Sequence, residues 1–315
     1  MRCPTLSELP PPPPGKTGWP WTIESPQLPD SMPDGKPWPR ISIVTPSYNQ
    51  GQFIEETIRS VLLQGYPNLE YIVMDGGSSD QSPAIIKKYE RWLAYWQSEK
   101  DGGQVYALND GFAKCSGDFL NWVNSDDFLH KNALRSIIKA VEFVPDVNII
   151  SAMRAECDKE SDTVLVDSAW QKYWPLYLLG FPDFPQDATF LSRDTLFELL
   201  PLDTRFNFMF DTALYYKMLK IKQKIILIDS VISSIRVYPE MKTLRVDDRK
   251  KKEEYIINSE YKPASVIARC VDRLIRTRWY SLVFAAVGMF VRNTDAIKVL
   301  RYDPRSSQWC IRRVG

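Results

Sequence analysis

Histidine is almost missing from this chain: one residue, His130, in 315. That excludes most Ser/His/Asp hydrolase and zinc-hydrolase schemes, which need an imidazole base or several imidazole ligands. General-base chemistry, if there is any, falls to Asp or Glu. Cysteine is sparse and unpatterned. Cys3, Cys115, Cys157, Cys270 and Cys310 form no C-x-x-C pair and no regular disulfide spacing, so a structural zinc site is not expected and a reduced, cytosolic compartment is the simplest expectation. Charge of one sign is not in excess: 40 basic against 39 acidic side chains leave +1, and nothing argues for nucleic acid as a partner. No G-x-G-x-x-G follows a predicted strand, which disfavours a dinucleotide oxidoreductase. The best apolar run, "WYSLVFAAVGMFV" at 279–291, falls short of the roughly 20 residues a spanning helix needs. The amino terminus has no basic segment leading into an apolar one, so no secretory leader is expected there.

Proline is what the chain has in quantity at its start. Residues 1–39 read as a Pro-rich arm of polyproline character. Its first part reads as a leader without fixed structure. Trp19, Trp21 and Trp38 predict that residues 19–40 pack on a domain surface, because free indoles would waste apolar area.

From Ile41 the pattern becomes strand and helix in alternation. "ISIVT", "LEYIVM", a segment around Trp92 to Trp96, and "DFLNWV" read as strands, separated by helices from about Gly51, from the Ser78–Asp80 cap, and over Gln104 to Cys115. Further on, "VNIISA", "TVLVD", "DATFLS" and "KIILID" read as strands, with helices at about Arg193 to Leu200 and Asp211 to Lys220. "RKKKEE", beyond Asp247, reads as a solvated helix face. The grammar predicts an α/β domain over 40–245 with a mixed, mostly parallel sheet, and a helical extension over 246–315. Ligands of such sheets sit beyond the carboxyl ends of the strands. Four segments lie there: "PSYNQG", "DGGSSD", "EKDGG" and "NSDD".

Each segment admits two readings. In "DGGSSD", Asp75 suits a ribose or base contact, while Ser78 to Asp80 suit a turn and helix cap. In "NSDD", two adjacent carboxylates repel, and a crevice edge that carries them needs a proton or a cation to offset the cost. Oxygen ligands suit Mg²⁺ or Mn²⁺, completed by substrate phosphates and water. Asp126 reads as the metal ligand and Asp127 as a cap for a helix beginning near residue 129.

The run "SIVTPSYNQGQFIEETIRSVLLQGYPNLEYIVMDGGSSD", followed in order by "SEKDGGQVYALNDGFAKCSGDFLNWVNSDD", "PQDATFLSRDTLFELL" and "RFNFMFDTALYYKML", resembles the family 2 glycosyltransferases of the GT-A fold, inverting enzymes that use nucleotide-sugar donors. The resemblance spans about 39–243. It implies that Pro46, Tyr48 and Asn49 lie against the nucleotide, that Asp75 meets base or ribose, and that Asp101 and Asn109 sit near the donor diphosphate and sugar. Asn124, Ser125 and Asp126 stand at the family's Asp-x-Asp position, so Asp126 would hold the metal, with Asn124 better suited to a ribose hydrogen bond. Asp211 stands at the catalytic-base position, where an N-cap role is the alternative, and Gln186 and Asp187 fall on the acceptor side. Where many relatives carry a metal- or diphosphate-binding His, this chain has Tyr238, a poor ligand when neutral. Arg236, Lys242 and Arg245 would bring positive charge to the diphosphate or form a solvated basic loop.

The implied partners are a nucleotide-sugar donor and a saccharide or lipid-linked acceptor, in polysaccharide or glycolipid assembly. The apolar stretch within 273–292, bracketed by basic residues, reads equally as a peripheral contact with the inner face of a membrane or as a helix packed on the domain or on a second copy. Two rivals remain. A sugar-nucleotide pyrophosphorylase needs a Gly-rich, basic loop that "PSYNQGQF" does not resemble. A non-catalytic nucleotide-sugar binder would be expected to have lost Asp75, Asp126 or Asp211.

Overall fold

The computed structural model describes residues 1–167, 184–221, 223–244, 248–262, 297–303 and 308–313. Arg245 and the apolar stretch within 273–292 lie outside them. Among the described residues no helix is long and apolar enough to cross a membrane.

Buried runs form β1 (Ile41–Ser47), β2 (Leu69–Asp75, with Glu70 half-buried) and β4 (Phe119–Trp122), and the shorter β3 (Tyr95–Ser98) is a half-exposed strand. They pair in parallel as β3-β2-β1-β4. The intervening helices are α1 (Ile54–Leu62), α2 (Ser82–Lys88) and α3 (Gln104–Lys114). β5 (Phe128–Leu129), α4 (Ala133–Phe143), β6 (Ile149–Cys157), β7 (Thr163–Asp167), β8 (Thr189–Ser192), α5 (Arg193–Leu199), α6 (Phe210–Met218), β9 (Ile225–Arg236) and α7 (Asp248–Ile256) follow. Then come β10 (Ile297–Asp303) and β11 (Gln308–Arg313). The sheet order is β11-β10-β9-β6-β8-β4-β1-β2-β3. β8 is antiparallel to both β4 and β6, while β9 is parallel to β6 and β10.

Strand alternation divides the core in two. Ile41, Ile43, Tyr71 and Val73 pack on one face with Ile58, Val61 and Ile137. Val44, Ile72 and Met74 point the other way, against Leu108, Phe112 and Tyr215. The result is a mixed α/β sheet covered by helices on both faces.

Four expectations shift. The third strand starts later than Trp92, because Glu90–Trp92 closes a 3₁₀ turn and Ala94 is the first residue to bond β2, through the Tyr71 carbonyl. Phe128–Leu129 is a strand paired with Ser233 and Ser234 of β9, so Asp127 caps no helix. The carboxy-terminal extension is helical over Asp248–Ile256 but also supplies β10 and β11 to the sheet. The arm is docked from its first residues: Cys3, Leu9, Trp21, Leu28 and Trp38 are buried, and the Cys3 N–H donates to the Tyr66 carbonyl. Its seat on the domain requires glycine at 65, with φ +65° and a position where a Cβ would lie 2.4 Å from the Pro26 carbonyl oxygen.

Candidate active site

The four loops expected to line one crevice follow four adjacent parallel strands and are bonded to one another. After β1, Asn49 has φ +52°, its N–H donates to Ser78 Oγ (2.7 Å), and its Oδ1 accepts from the Ser79 N–H (2.9 Å). The next two amides donate to the Ser82 hydroxyl and the Asp80 carboxylate. This zipper leaves Tyr48 64% exposed, while Pro46 is buried in the strand. Asp75 is buried and accepts from the Ser78 N–H (2.9 Å), the Ser78 hydroxyl (2.6 Å) and the Ser98 hydroxyl (2.6 Å). A carboxylate has about four acceptor sites, so about one remains for a ligand. Asp80 acts as foreseen for the turn, accepting from Ser82 and Gly51.

Asp101 holds the Gly103 N–H (2.7 Å) and lies close under Gly76, where a Cβ would be 3.1 Å from its Oδ1. Asn109 does not reach the same space as a free donor. Its amide bonds Leu202 in both directions, Nδ2 to the carbonyl (3.0 Å) and Oδ1 from the N–H (2.8 Å), so it straps α3 to the segment before α6.

The "NSDD" turn is fastened from three sides. Asn124 Oδ1 accepts from Gln104 Nε2 (2.8 Å), and its Nδ2 donates to Asp127 Oδ2 (3.0 Å) and to Gln186 Oε1 (3.4 Å). Gln104 Oε1 in turn accepts from Lys242 Nζ (2.9 Å). Ser125 is buried, its carbonyl bonded by Thr57 Oγ1 (3.0 Å). Asp127 Oδ1 accepts from the Arg236 N–H (3.0 Å). Arg236 is 1% exposed; it reaches the Asp126 carbonyl, Ser161 Oγ (2.7 Å) and Glu56 Oε2 (3.1 Å), with its guanidinium over the Phe53 ring. The expectation that Arg236 neutralises a diphosphate, or lies on a solvated basic loop, is therefore corrected: a buried guanidinium, bonded to protein groups through both terminal nitrogens, braces the loop.

Asp126 alone of the pair keeps a half-buried carboxylate at the crevice, with Oδ2 accepting from the Tyr238 hydroxyl (2.7 Å). Burial raises its carboxyl above the ordinary range against the Tyr238 hydrogen bond. Asp127 is pushed much further up, by burial first and then by the charges of Asp126 and Asp187. Two neighbouring carboxyls under such pressure suit a compensating cation. Among the described residues no three His, Cys, Asp or Glu side chains form a ready cage. The oxygen donors present thus fit a hard dication held through Asp126, with phosphate and water completing its shell.

Gln186 and Asp187 divide. Gln186 joins the Asn124 chain and also donates to the Trp122 carbonyl. Asp187 is fully buried, accepting from the Ser233 hydroxyl with Arg154 Nη1 at 3.6 Å, so its carboxylate faces β9 and β6 and not an approaching acceptor. Asp211 is the second residue of α6, half-buried, with Oδ1 accepting from the Thr212 N–H (2.6 Å). The cap position belongs to Met209, so an N-cap role for Asp211 is excluded. Phe210 packs on Trp122 (6.1 Å between centroids) and Lys242 Nζ lies 5.4 Å from the Phe208 ring, which brings the start of α6 beside the end of β4.

Sequence reading missed Gln104, Glu56 and Glu253. Glu56 and Glu253 lie in runs of charge on helices, where nothing local separates a buried carboxylate from a solvated one. Glu253, inside the "RKKKEE" run read as solvated, is 3% exposed.

Solved structures with the same architecture are glycosyltransferases. S. aureus TarS 1–349 in complex with UDP-GlcNAc superposes with a TM-score of 0.57 at 18% identity, covering 77% of this chain and 75% of that one. A mannosyltransferase from Pyrobaculum calidifontis in complex with GDP-Man and Mn²⁺ gives 0.56 at 19% identity, covering 80% and 74%. The fold is GT-A. The sequence model described as "Glycosyl transferase family 2" matches residues 42–219, and the chain belongs to that family. An uncharacterised glycosyltransferase of Mycobacterium tuberculosis is 43% identical over 90 residues, 28% of this chain and 34% of that protein. One from Rickettsia typhi is 28% identical over 190 residues, 58% and 59%. A Bacillus subtilis protein named as the putative teichuronic acid biosynthesis glycosyltransferase TuaG is 33% identical over 109 residues, 34% and 42%. The chain thus spans from a third to about three fifths of the length of these relatives.

Proposed function

We propose that this glycosyltransferase moves a sugar from a nucleoside diphosphate donor to an acceptor hydroxyl with inversion at the anomeric carbon. The observation that carries the reading is the pairing of two half-buried carboxylates with separate roles: Asp126 on the turn after β4, and Asp211 on a helix whose first residue packs against the end of that strand.

Asp211 takes the proton of the acceptor hydroxyl as its oxygen bonds to the anomeric carbon, and the bond to the diphosphate breaks on the opposite face with its electron pair leaving on the phosphate oxygen. Tyr48 offers an exposed ring for the base, beside the remaining acceptor site of Asp75. Asp126 is the residue that would hold Mg²⁺ or Mn²⁺, which when bound offsets charge on the leaving diphosphate. Gln104, Asn124 and Gln186 fix the shape of the floor between the two carboxylates. UDP-GlcNAc and GDP-Man, bound by the structural neighbours, set the range of donors to try, and the name of the Bacillus relative favours a polysaccharide acceptor.

The test is nucleoside diphosphate release from a panel of UDP- and GDP-sugars with Mn²⁺ or Mg²⁺. Asp211→Asn is expected to lower kcat by about 10²-fold or more. Asp126→Ala is expected to remove the metal-dependent part of donor affinity in a thermal shift. Proton NMR of the product gives the anomeric outcome. Retained configuration, or full turnover by Asp211→Asn, would overturn the reading.

A further inference from the structure

Just before α6 the chain runs through Asn207, Phe208 and Met209, and all three backbone N–H groups point at one carboxylate. Glu253 of α7 accepts from Asn207 with Oε1 (2.7 Å) and from Phe208 and Met209 with Oε2 (2.8 and 2.9 Å). Three successive amides converging on an anion form a nest of the kind that binds phosphate. Here the chain's own side chain, 3% exposed, fills it. Met209 caps α6 with no side-chain bond of its own, and Asp211 follows two residues later.

The same helical segment grips the loop a second time. Arg205 bonds Asp203 (2.7 Å) and Glu260 (2.9 Å), and the Tyr261 hydroxyl donates to Asp203 (2.9 Å) while its ring meets Phe206 edge-on. Between the two grips the loop borders an open cleft of about 480 Å³ whose walls include Gly102, Tyr106, Asn207 and Lys252. On that side the backbone of Asn207–Met209 borders space, and the Glu253 bonds fix its three amides, while Met209 packs on the core and Lys242 meets the Phe208 ring on the others.

We infer that Glu253 is a positioning residue for Asp211: by holding the three amides that lead into α6, it sets where the base carboxylate stands relative to the acceptor hydroxyl. This rests on the reading of Asp211 as the base. A misplacement of about 1 Å in a proton-accepting group is enough for about a 10²-fold loss in rate. Glu253 bonds Asn207, Phe208 and Met209 and makes no hydrogen bond to the loops after β1 to β4, although it lines the same cleft as Gly102 of the loop after β3.

The experiment measures nucleoside diphosphate release from whichever of UDP-GlcNAc and GDP-mannose the enzyme turns over, for wild type, E253A, E253Q, D211N and the double variant D211N/E253A. E253A is expected to lower kcat by about 10- to 100-fold with donor KM changed by less than about twofold. E253Q, which keeps one acceptor oxygen, is expected to fall in between. In the D211N background E253A is expected to cost nothing further, because a residue acting through Asp211 has nothing left to position. If E253A does not fold, E253Q carries the same comparison, with its thermal midpoint recorded alongside. The inference is overturned if D211N is impaired and Glu253 variants keep wild-type kcat, raise donor KM alone, or lower kcat by the same factor with and without Asp211. Full activity of D211N would instead overturn the base assignment itself, and the positioning role with it.

Discussion

The ring of His130 stacks on Phe128 (5.7 Å between centroids, 15° between planes) and its Nε2 shares a 2.7 Å hydrogen bond with Ser234 Oγ. Burial lowers its pKa from the ordinary 6.5, against a smaller upward pull from Asp187. The unfolded chain therefore binds this proton more readily than the folded one. The stability His130 contributes is full above about pH 6.5 and is lost as pH falls from there through the folded value. The single imidazole resonance should still report a neutral ring at pH 6.5, and the stability gap between wild type and His130→Asn in urea should narrow from pH 7.5 to 5.5. A native midpoint at or above 6.5 would refute this. The buried thiols give a second residue-scale prediction. Burial holds Cys3, Cys115 and Cys157 up at about 12, so they carry almost no thiolate at neutral pH. Iodoacetamide applied to the folded protein at pH 7.5 should leave all three unmodified in a peptide mass map and label them after denaturation.

At the scale of elements, the metal-side turn depends on a buried ion pair between the last residue of β9 and the first turn of α1. Arg236 and Glu56 are 3.1 Å apart with side-chain exposures of 0% and 7%. Removing one partner leaves the other charge buried and unmatched, a loss of about 3–5 kcal/mol. Arg236→Met should therefore destabilise by that order in urea, and Arg236→Met combined with Glu56→Met should recover a large part. The Arg236 side chain also donates to the Asp126 carbonyl, so the double variant should bind Mn²⁺ and donor more weakly even where stability returns. Unchanged metal-dependent donor affinity in the double variant would show that the turn needs no such brace. These elements were legible: β1, β2 and β4 are short runs dominated by β-branched and aromatic residues, and α1 shows its buried face in the spacing of Ile54, Ile58, Val61 and Leu62. The brace was not. Arg236 read as a diphosphate contact or as part of a solvated basic loop, because its partner lies 180 residues away.

At the scale of the molecule, the proline-rich arm is part of the catalytic domain's packing. Arg59 of α1 is fully buried and donates to three arm carbonyls, Pro10 (2.8 Å), Pro20 (3.1 Å) and Trp21 (3.0 Å), with its guanidinium 5.6 Å from the Trp21 ring. The Trp19 indole N–H donates to the Leu129 carbonyl (2.8 Å), tying the arm to β5 next to the "NSDD" turn. Trp21→Ala is expected to cost about 3–5 kcal/mol, since it opens a cavity over a buried cation. Removing the arm should expose the Arg59 guanidinium and lower the thermal midpoint by more than the point variant does. A midpoint unchanged by Trp21→Ala would mean that the arm rests on the domain without supporting it.

Local pattern was enough to determine the fold class, the four loops that end at the crevice and most of the strands and helices up to β9, but not β5, β10 or β11, because burial periodicity and turn chemistry act over a few residues while short or edge strands are set by distant partners. It also marked Asp126 and Asp211, through ordered motifs at family spacing. Only the tertiary structure decided which charged groups meet the crevice and which hold it together. Asp187, read on the acceptor side, and Arg236, read as a diphosphate contact or a solvated base, are buried braces; Glu253, read as solvated, is buried beneath the loop that leads to Asp211. A carboxylate or guanidinium is the same letter in either setting. What separates the two is whether distant backbone amides and counter-charges compensate its desolvation, and those partners come from segments 44 to 180 residues away.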